Sequence, residues 1–229
     1  MLIDTHMHEK TYSDDSFMSL AEIVARAKAL GLDGVCITDH ESDGLKETAA
    51  AYSRETGFLI LVGAEILTHE GDITVFGLDR LPAEKLHAQQ LIDLTLKAGG
   101  VCMSAHPFRQ NNRGMGHSLR RVTGLSGIEA FNGSTPMHHN LHAYNLAAEL
   151  NIPTFGASDA HTVDRVGIYA THFPGTVRDL QDFIEAVRQG GTSPAMHTPA
   201  GYEILHPMNR SLRSALAGAP WSEAAAVAL

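Results

Sequence analysis

The feature that most restricts the fold is an alternation of short apolar runs with helix-patterned stretches, in which nearly every apolar run ends in a cluster of polar residues, most often His, Asp or Glu. Leu2-Ile3 leads into Asp4-Thr5-His6-Met7-His8. Ser19 then reads as the N-cap of a helix over 20–30, with Glu22 completing a capping box and Leu20, Ile23, Val24, Ala27 and Leu30 at helical spacing. Gly31 stops it. Residues 34–38 read as a buried strand ending in Asp39-His40. A helix over 45–56 is broken by Gly57, and a strand over 58–62 ends in Gly63-Ala64-Glu65. Residues 73–78 read as a strand and 82–98 as a helix opened by Pro82. The strand at 101–104 ends in Ala105-His106-Pro107, and that at 127–131 in Asn132-Gly133. A helix over 136–150 precedes a strand over 153–157, which ends in Ser158-Asp159-Ala160-His161. A strand over 167–171 and a helix over 176–189 complete the series.

This rhythm predicts an α/β fold of parallel strands joined by crossover helices. It places the polar clusters at the C-terminal ends of the strands, where such sheets and barrels carry their sites. No repeat, low-complexity tract or linker interrupts the chain. The expectation is therefore a single domain over 1–229, with a core of about 1–190 and a C-terminal extension over 191–229. Within that extension the stretch 215–229 is Ala-rich, and Pro220-Trp221-Ser222 fits a cap before a short final helix.

In an extended strand alternate residues share a face. His6 and His8 thus point together, with Asp4 on the same side and able to orient a ring from behind. Each polar residue taken alone has an ordinary structural use: a surface pair for the two histidines, a helix cap for His40, a surface acid for Glu65, an N-cap partner for Asp159. Recurrence at five strand ends is what favours one shared site. The set is His6, His8, His40, Glu65, His106, Asp159 and His161, joined by Asp15 from the first loop. These are nitrogen and oxygen donors without thiolate, suited to Zn, Mn or Fe in an open catalytic site.

Composition removes competing classes. With Lys plus Arg at 17, Asp plus Glu at 26 and a formal charge of −9, the chain lacks the basic face of a general nucleic-acid binder. There is no Gly-x-Ser-x-Gly nucleophile elbow and no Walker-type loop, since Gly114-Met115-Gly116 does not follow a strand. The two cysteines, Cys36 and Cys102, read as buried free thiols. No apolar run nears the roughly 20 residues that span a bilayer. A functional strand starting at residue 2 argues against a signal peptide, so the expectation is a soluble, cytoplasmic protein.

The motifs resemble those of the polymerase and histidinol phosphatase (PHP) family of metal-dependent phosphoesterases. They are Asp-Thr-His-Met-His at 4–8, Tyr-Ser-Asp-Asp-Ser at 12–16, Thr-Asp-His at 38–40, Gly-Ala-Glu at 63–65, Ala-His-Pro-Phe-Arg at 105–109, Glu-Ala-Phe-Asn-Gly at 129–133 and Ser-Asp-Ala-His at 158–161. The resemblance runs over about residues 1–190, in the family's order. It implies a distorted (β/α)7 barrel with two or three divalent ions (Mn, Fe or Zn) at its C-terminal mouth. By the same resemblance, His6, His8 and Asp159 would hold a first ion and Glu65 would bridge it to a second bound by His106. Asp15, His40 and His161 would hold a third. The chain departs from the pattern in one place: many relatives carry a further histidine in the strand after the glutamate, where this sequence offers Asp72 and Thr74. Asp72 is the candidate substitute. The approach from His8 is one residue long, and Asp15 is preferred there to Asp14.

The implied activity is hydrolysis of a small phosphate mono- or diester, a nucleotide or metabolite, by a metal-bridging hydroxide beside Glu65. Glu65, Asp159 and His161 form the catalytic set, with His161 or a metal assisting the leaving group. Arg109 and Arg113 are the candidates for gripping phosphate, because the guanidinium fork matches two oxygens. Arg120 and Arg121 are assigned to a solvated face. The loop over 109–126, with Asn111, Asn112, Gly114 and Gly116, is expected to act as a flexible lid, and His138, His139 and His142 to lie on an exposed helix face. The expected partner is a small phosphorylated substrate, with no membrane and no long nucleic acid. Two alternatives stay open: hydrolysis of another bond such as an amide by the same metal chemistry, and a non-catalytic, metal-stabilised regulatory domain.

Overall fold

A computed structural model describes residues 1–205, so the expected terminal helix within 215–229 lies outside the described residues. The chain is α/β, as the alternation predicts. Its strands are β1 (Leu2–Asp4), β2 (Gly34–Ile37), β3 (Leu59–Val62), β4 (Ala64–Leu67), β5 (Asp72–Phe76), β6 (Val101–Ser104), β7 (Gly127–Asn132), β8 (Thr154–Ala157), β9 (Tyr169–His172), β10 (Ser193–Thr198) and β11 (Gly201–Ile204). The helices are α1 (Leu20–Ala29), α2 (Lys46–Thr56), α3 (Ala88–Lys97), α4 (Met137–Leu150) and α5 (Leu180–Gln189). The Ser19–Glu22 capping box forms in full at the start of α1, and Gly57 ends α2 in the left-handed conformation.

Two expectations need correction. The helix expected from Pro82 begins only at Ala88. Glu70 accepts from the Ala88 amide at 2.7 Å, and a His87–Gln90 capping box fixes the first turn there. Second, the strands are not all parallel. β1–β2–β3 and β6–β7–β8 are parallel, but β1 pairs antiparallel with β9, and β4–β5–β6 is antiparallel throughout. The segment read as a strand end at Gly63-Ala64-Glu65 starts a strand of its own. Gly63 passes so close to β5 that a Cβ there would lie 2.5 Å from the Val75 carbonyl oxygen. The extension contributes the β10–β11 hairpin, with β10 antiparallel to β9.

The ladders form two sheets, ordered β11-β10-β9-β1-β2-β3 and β4-β5-β6-β7-β8. No continuous ladder closes them into one barrel among the described residues. They are joined instead where the polar clusters lie, by single bridges Met7–Ala160 and His40–Glu65. Backbone amides reinforce that seam: Asp159 donates to His6 at 2.8 Å, His8 to Ala160 at 3.1 Å, and Glu65 to Asp39 at 3.1 Å. Along residues 6–8 the alternation holds, because Met7 packs into a core cluster with Ile23, Val35 and Ile37 while both histidines face the seam. Burying a side chain such as Ile37 contributes about 1.5–3 kcal/mol, and such apolar layers on both faces hold the polar seam in register. Cys36 and Cys102 are buried free thiols, and burial pushes both up, Cys102 to about 12.

Candidate metal centre

At the seam the imidazoles of His6 and His8 meet Nε2 to Nε2 at 3.0 Å. His6 Nε2 lies 3.5 Å from Glu65 Oε1 and 3.6 Å from Asp159 Oδ1, and His8 Nε2 lies 3.3 Å from the same Asp159 oxygen. All four side chains are essentially buried. The far nitrogen of each ring is already committed. His6 Nδ1 is 2.9 Å from Glu129 Oε1, and His8 Nδ1 is 3.2 Å from Ser13 Oγ, whose hydroxyl donates to Asp39 at 2.9 Å. A ring that donates from Nδ1 presents a bare Nε2 lone pair. Two such lone pairs converge here on carboxylate oxygens, an arrangement stable only with positive charge in the middle. Burial works against charge on His6, yet Glu129, Asp159 and Glu65 together raise it well above its usual range, so a proton sits where a cation fits. Burial would likewise raise Asp159 and Glu65. The surrounding cations win, and both are held well below the usual carboxylate range, Asp159 by His6 and Arg109 and Glu65 by His6, His106 and His40. The His8 ring is pushed down to about 4, chiefly by burial.

His40 and His161 flank this pocket. His161 Nδ1 lies 3.1 Å from the Asp159 carbonyl oxygen, and its Nε2 is 3.3 Å from Asp15 Oδ2. His40 Nε2 is 3.3 Å from that same oxygen, while its Nδ1 is 2.8 Å from Glu65 Oε2. Asp15 thus joins the group although its side chain is 59% exposed. His106 Nε2 sits 2.9 Å from Glu65 Oε1 and 3.7 Å from Asp72 Oδ2. Ligand atoms of three groups lie close enough to hold one ion each: His6–His8–Asp159, His8–His40–His161 and Glu65–Asp72–His106. His8 is shared between two of them, and with Nδ1 on Ser13 it can serve one ion at a time.

The first two groups fit a divalent cation on the chemistry just described. The third fits it less well. Arg113 Nε donates to Asp72 Oδ2 at 2.6 Å, and Arg113 Nη2 lies 3.7 Å from Glu65 Oε2. Among the described residues His106 Nδ1 has no hydrogen-bond partner, so no group behind this ring turns a bare Nε2 inward as Glu129 and Ser13 do for the other two.

Every sequence-selected ligand therefore comes to this seam, and Asp72 does as well. Asp4 does not orient a ring. Its carboxylate accepts from the amides of Ser158 at 2.9 Å and Gly167 at 3.0 Å, and burial raises it to about 7. The ring it was expected to back is backed by Glu129, which also accepts from the His106 amide at 2.8 Å. Asn132 is the second residue that sequence reasoning left without a role. Its Nδ2 donates to Glu129 at 2.8 Å and to Asp159 at 3.2 Å. The segment Glu129-Ala-Phe-Asn132 carried the signal twice, as a strand with polar residues inside an apolar run and as one of the family-like motifs, but neither gave these two side chains a role. His106 and Asp159 both adopt positive φ, 26° and 51°, a conformation that L residues hold only against strain.

Arg109 does not stand free. Its Nη2 donates to Asp159 and, at 3.1 Å, to Asn132 Oδ1, while Nε is buried without an acceptor among the described residues. Arg120 pairs with Glu149 at 2.5 Å and Arg121 with Ser118 at 2.8 Å. The expected lid is pinned in part, because residues 116–121 form a 3-10 turn and Met115 and Leu119 are buried in the core. On α4, His138 and His142 are exposed and His139 half-buried, with His142 stacked on Phe108 at 3.8 Å. A cavity of 580 Å³ beside the site is lined by Thr11, Tyr12, Ser13, Asp14, Asp15 and His40. None of the described helices is long and apolar enough to cross a membrane.

Comparison with known proteins places this geometry in context. Residues 4–114 match the family described as PHP domain, and residues 137–192 the family described as PHP-associated. An uncharacterized protein of Methanocaldococcus jannaschii is 27% identical over 141 residues, covering 58% of this chain and 82% of that protein. Three solved structures share the fold. One, from Bifidobacterium adolescentis, carries a provisional description as a metal-dependent phosphoesterase; its TM-score is 0.60 at 18% identity, covering 82% of this chain and 96% of that one. A lesion-specific endonuclease from Pyrococcus furiosus gives a TM-score of 0.65 at 17% identity, covering 83% of this chain and 56% of that one. An amidohydrolase from Chromobacterium violaceum gives 0.60 at 19% identity, covering 91% and 99%.

Proposed function

Because the chain belongs to the PHP family, we propose that it is a metal-dependent hydrolase of a small phosphate mono- or diester, such as a nucleotide or phosphorylated metabolite. The observation that carries this reading is the convergence of His6 Nε2, His8 Nε2, Glu65 and Asp159 within 3.0–3.7 Å, with two arginine heads on the same carboxylates. His6, His8 and Asp159 would hold one divalent ion, and Asp15, His40 and His161 another, with Glu65 beside both. Mn, Fe and Zn all suit these donors. Such ions supply a nucleophile at neutral pH and neutralise charge on phosphoryl oxygens.

The chain's own residues do the rest. Glu129 and Ser13 hold the two histidine rings with Nε2 facing inward. Arg109 is the phosphate grip: its Nε–H has no acceptor among the described residues, and an anionic oxygen would provide one. His161, fixed through Nδ1 to the Asp159 carbonyl, keeps Nε2 at the mouth beside Asp15 as the atom that would face the second ion, so assistance to a leaving oxygen would come from the ions rather than from this ring. The cavity at 11–15 and His40 carries no Lys or Arg, which favours a small substrate over long nucleic acid. In this proposal the chain is a single cytoplasmic domain whose core, about 1–190, is a distorted PHP-like barrel, with 191–229 as an extension. Amide hydrolysis is the second reading, favoured by the shared fold of the amidohydrolase.

The first test is elemental analysis of protein purified without chelators, followed by turnover on panels of phosphate esters and of amides. Bound Mn, Fe or Zn with phosphate release supports the proposal. Bound metal with cleavage only of amides replaces it with the second reading, and no metal even after reloading overturns both.

A further inference from the structure

The Glu65–Asp72–His106 group already contains a cation of the protein's own. Arg113 Nε donates to Asp72 Oδ2 at 2.6 Å, and its Nη2 stands 3.3 Å from His40 Nδ1 and 3.7 Å from Glu65 Oε2. This placement is built by the backbone. The Asp72 amide donates to the Arg113 carbonyl at 2.6 Å, so the two residues are bound to each other through main chain as well as side chain. A Cβ on Gly71 would lie 2.7 Å from the Arg113 carbonyl oxygen and 2.5 Å from the Met115 amide nitrogen, so the chain at 113–115 can lie here only against a glycine. A Cβ on Gly114 would lie 2.4 Å from the Pro107 carbonyl oxygen, so the other side is packed as tightly.

The histidine of the group points the same way. His6 and His8 each have a partner on Nδ1 that leaves Nε2 free as a ligand. His106 has none among the described residues, and its Nε2 lies 2.9 Å from Glu65 Oε1. That geometry suits an Nε2–H donating to the carboxylate. A guanidinium and a divalent ion drawn to the same two carboxylates repel each other strongly in a buried setting.

We propose that the Arg113 guanidinium is the resident cation of the Glu65–Asp72–His106 group, so that the chain runs on two divalent ions and one fixed arginine in place of a third ion. The inference rests on the hydrolase reading above. Arg113 supplies one positive charge where a third divalent ion would supply two, and the N–H groups it does not use on Asp72 are donors for a substrate oxygen.

The test is ion counting on the full chain, stripped with chelator, reloaded with MnCl2 alone and desalted. Wild type should retain about two ions per chain and Arg113→Met about three. Arg113→Lys, which keeps a cation, should stay at about two. Asp72→Asn should also stay at about two, whereas loss of an ion would make Asp72 a ligand and overturn the inference. Three ions in wild type, or an unchanged count in Arg113→Met with a wild-type circular-dichroism spectrum, would overturn it too while leaving the hydrolase reading intact. Should Arg113→Met not fold, the wild-type and Asp72→Asn counts decide the matter. No retained ion in wild type would sink the hydrolase reading and this inference together.

Discussion

The two sides of the site use the same residue types and end in different states. On one side His6 and His8 are each backed through Nδ1, by Glu129 and Ser13, and Asn132 and Arg109 hold Asp159. On the other, Arg113 takes one oxygen of Asp72, Oδ2, while Asp72 Oδ1 and His106 Nδ1 are buried without a partner among the described residues. A ligand type is therefore not yet a ligand. What makes a histidine a good one is the partner behind it, which fixes the tautomer and raises the basicity of the other nitrogen. The difference teaches that a motif identifies donors, while their backing decides which of them face an ion.

The sharpest way to break this contrast is His6→Ala. It removes a ligand from the backed side and should abolish both tight metal retention and turnover, as read by elemental analysis and a phosphate-release assay. Normal metal content with normal turnover would end the claim that this side is a metal centre. Glu129→Gln comes next. Its amide cannot supply the charged acceptor for His6 Nδ1–H, so metal affinity should drop about 10–100-fold, measured by competition with a chelating dye. An unchanged affinity would show that backing matters less than the contrast implies.

Arg109→Ala should raise KM for a phosphate ester by about tenfold, as expected for loss of one charge-assisted contact of roughly 1.5–3 kcal/mol that Asn132 and solvent partly replace. Unchanged KM would remove its role as phosphate grip. The smallest effect is on pH dependence. Surrounding carboxylates outweigh burial and raise His6, so below that raised value a proton competes with the ion, and metal affinity should climb as pH rises. Calorimetry in two buffers of different ionisation enthalpy should register proton release on binding. No proton release would mean that His6 is already neutral.

A separate prediction concerns the seam that holds the two sides together. Asp4→Asn replaces one of two acceptors that serve the Ser158 and Gly167 amides and should cost about 1–3 kcal/mol in urea unfolding. The sign with pH follows from its carboxyl being raised to about 7 in the fold. The neutral form is the one burial favours, so the Asp4 contribution to stability is fully present below its unfolded value near 3.9 and declines as pH rises through about 7. The variant should lack that decline.

How much of this was legible in the chain follows from the range of each interaction. The capping box at Ser19–Glu22, the glycine stops and the alternation of core and site along 6–8 are local, and sequence alone determined them. The set of donors brought to the seam was legible too, because all but Asp15, which comes from the first loop, stand at or beside the end of an apolar run whose burial has no alternative. Sequence did not decide the direction of β4, β5 and β9, since a strand's pattern is the same whichever way its neighbour runs. Nor did it assign Glu129 to His6, 123 positions away, in place of Asp4, two positions away. Only the tertiary structure decided that, as it decided that Arg113 meets Asp72 across 41 positions. Those pairings depend on two sheets meeting along one seam, and no local pattern encodes the contact between them.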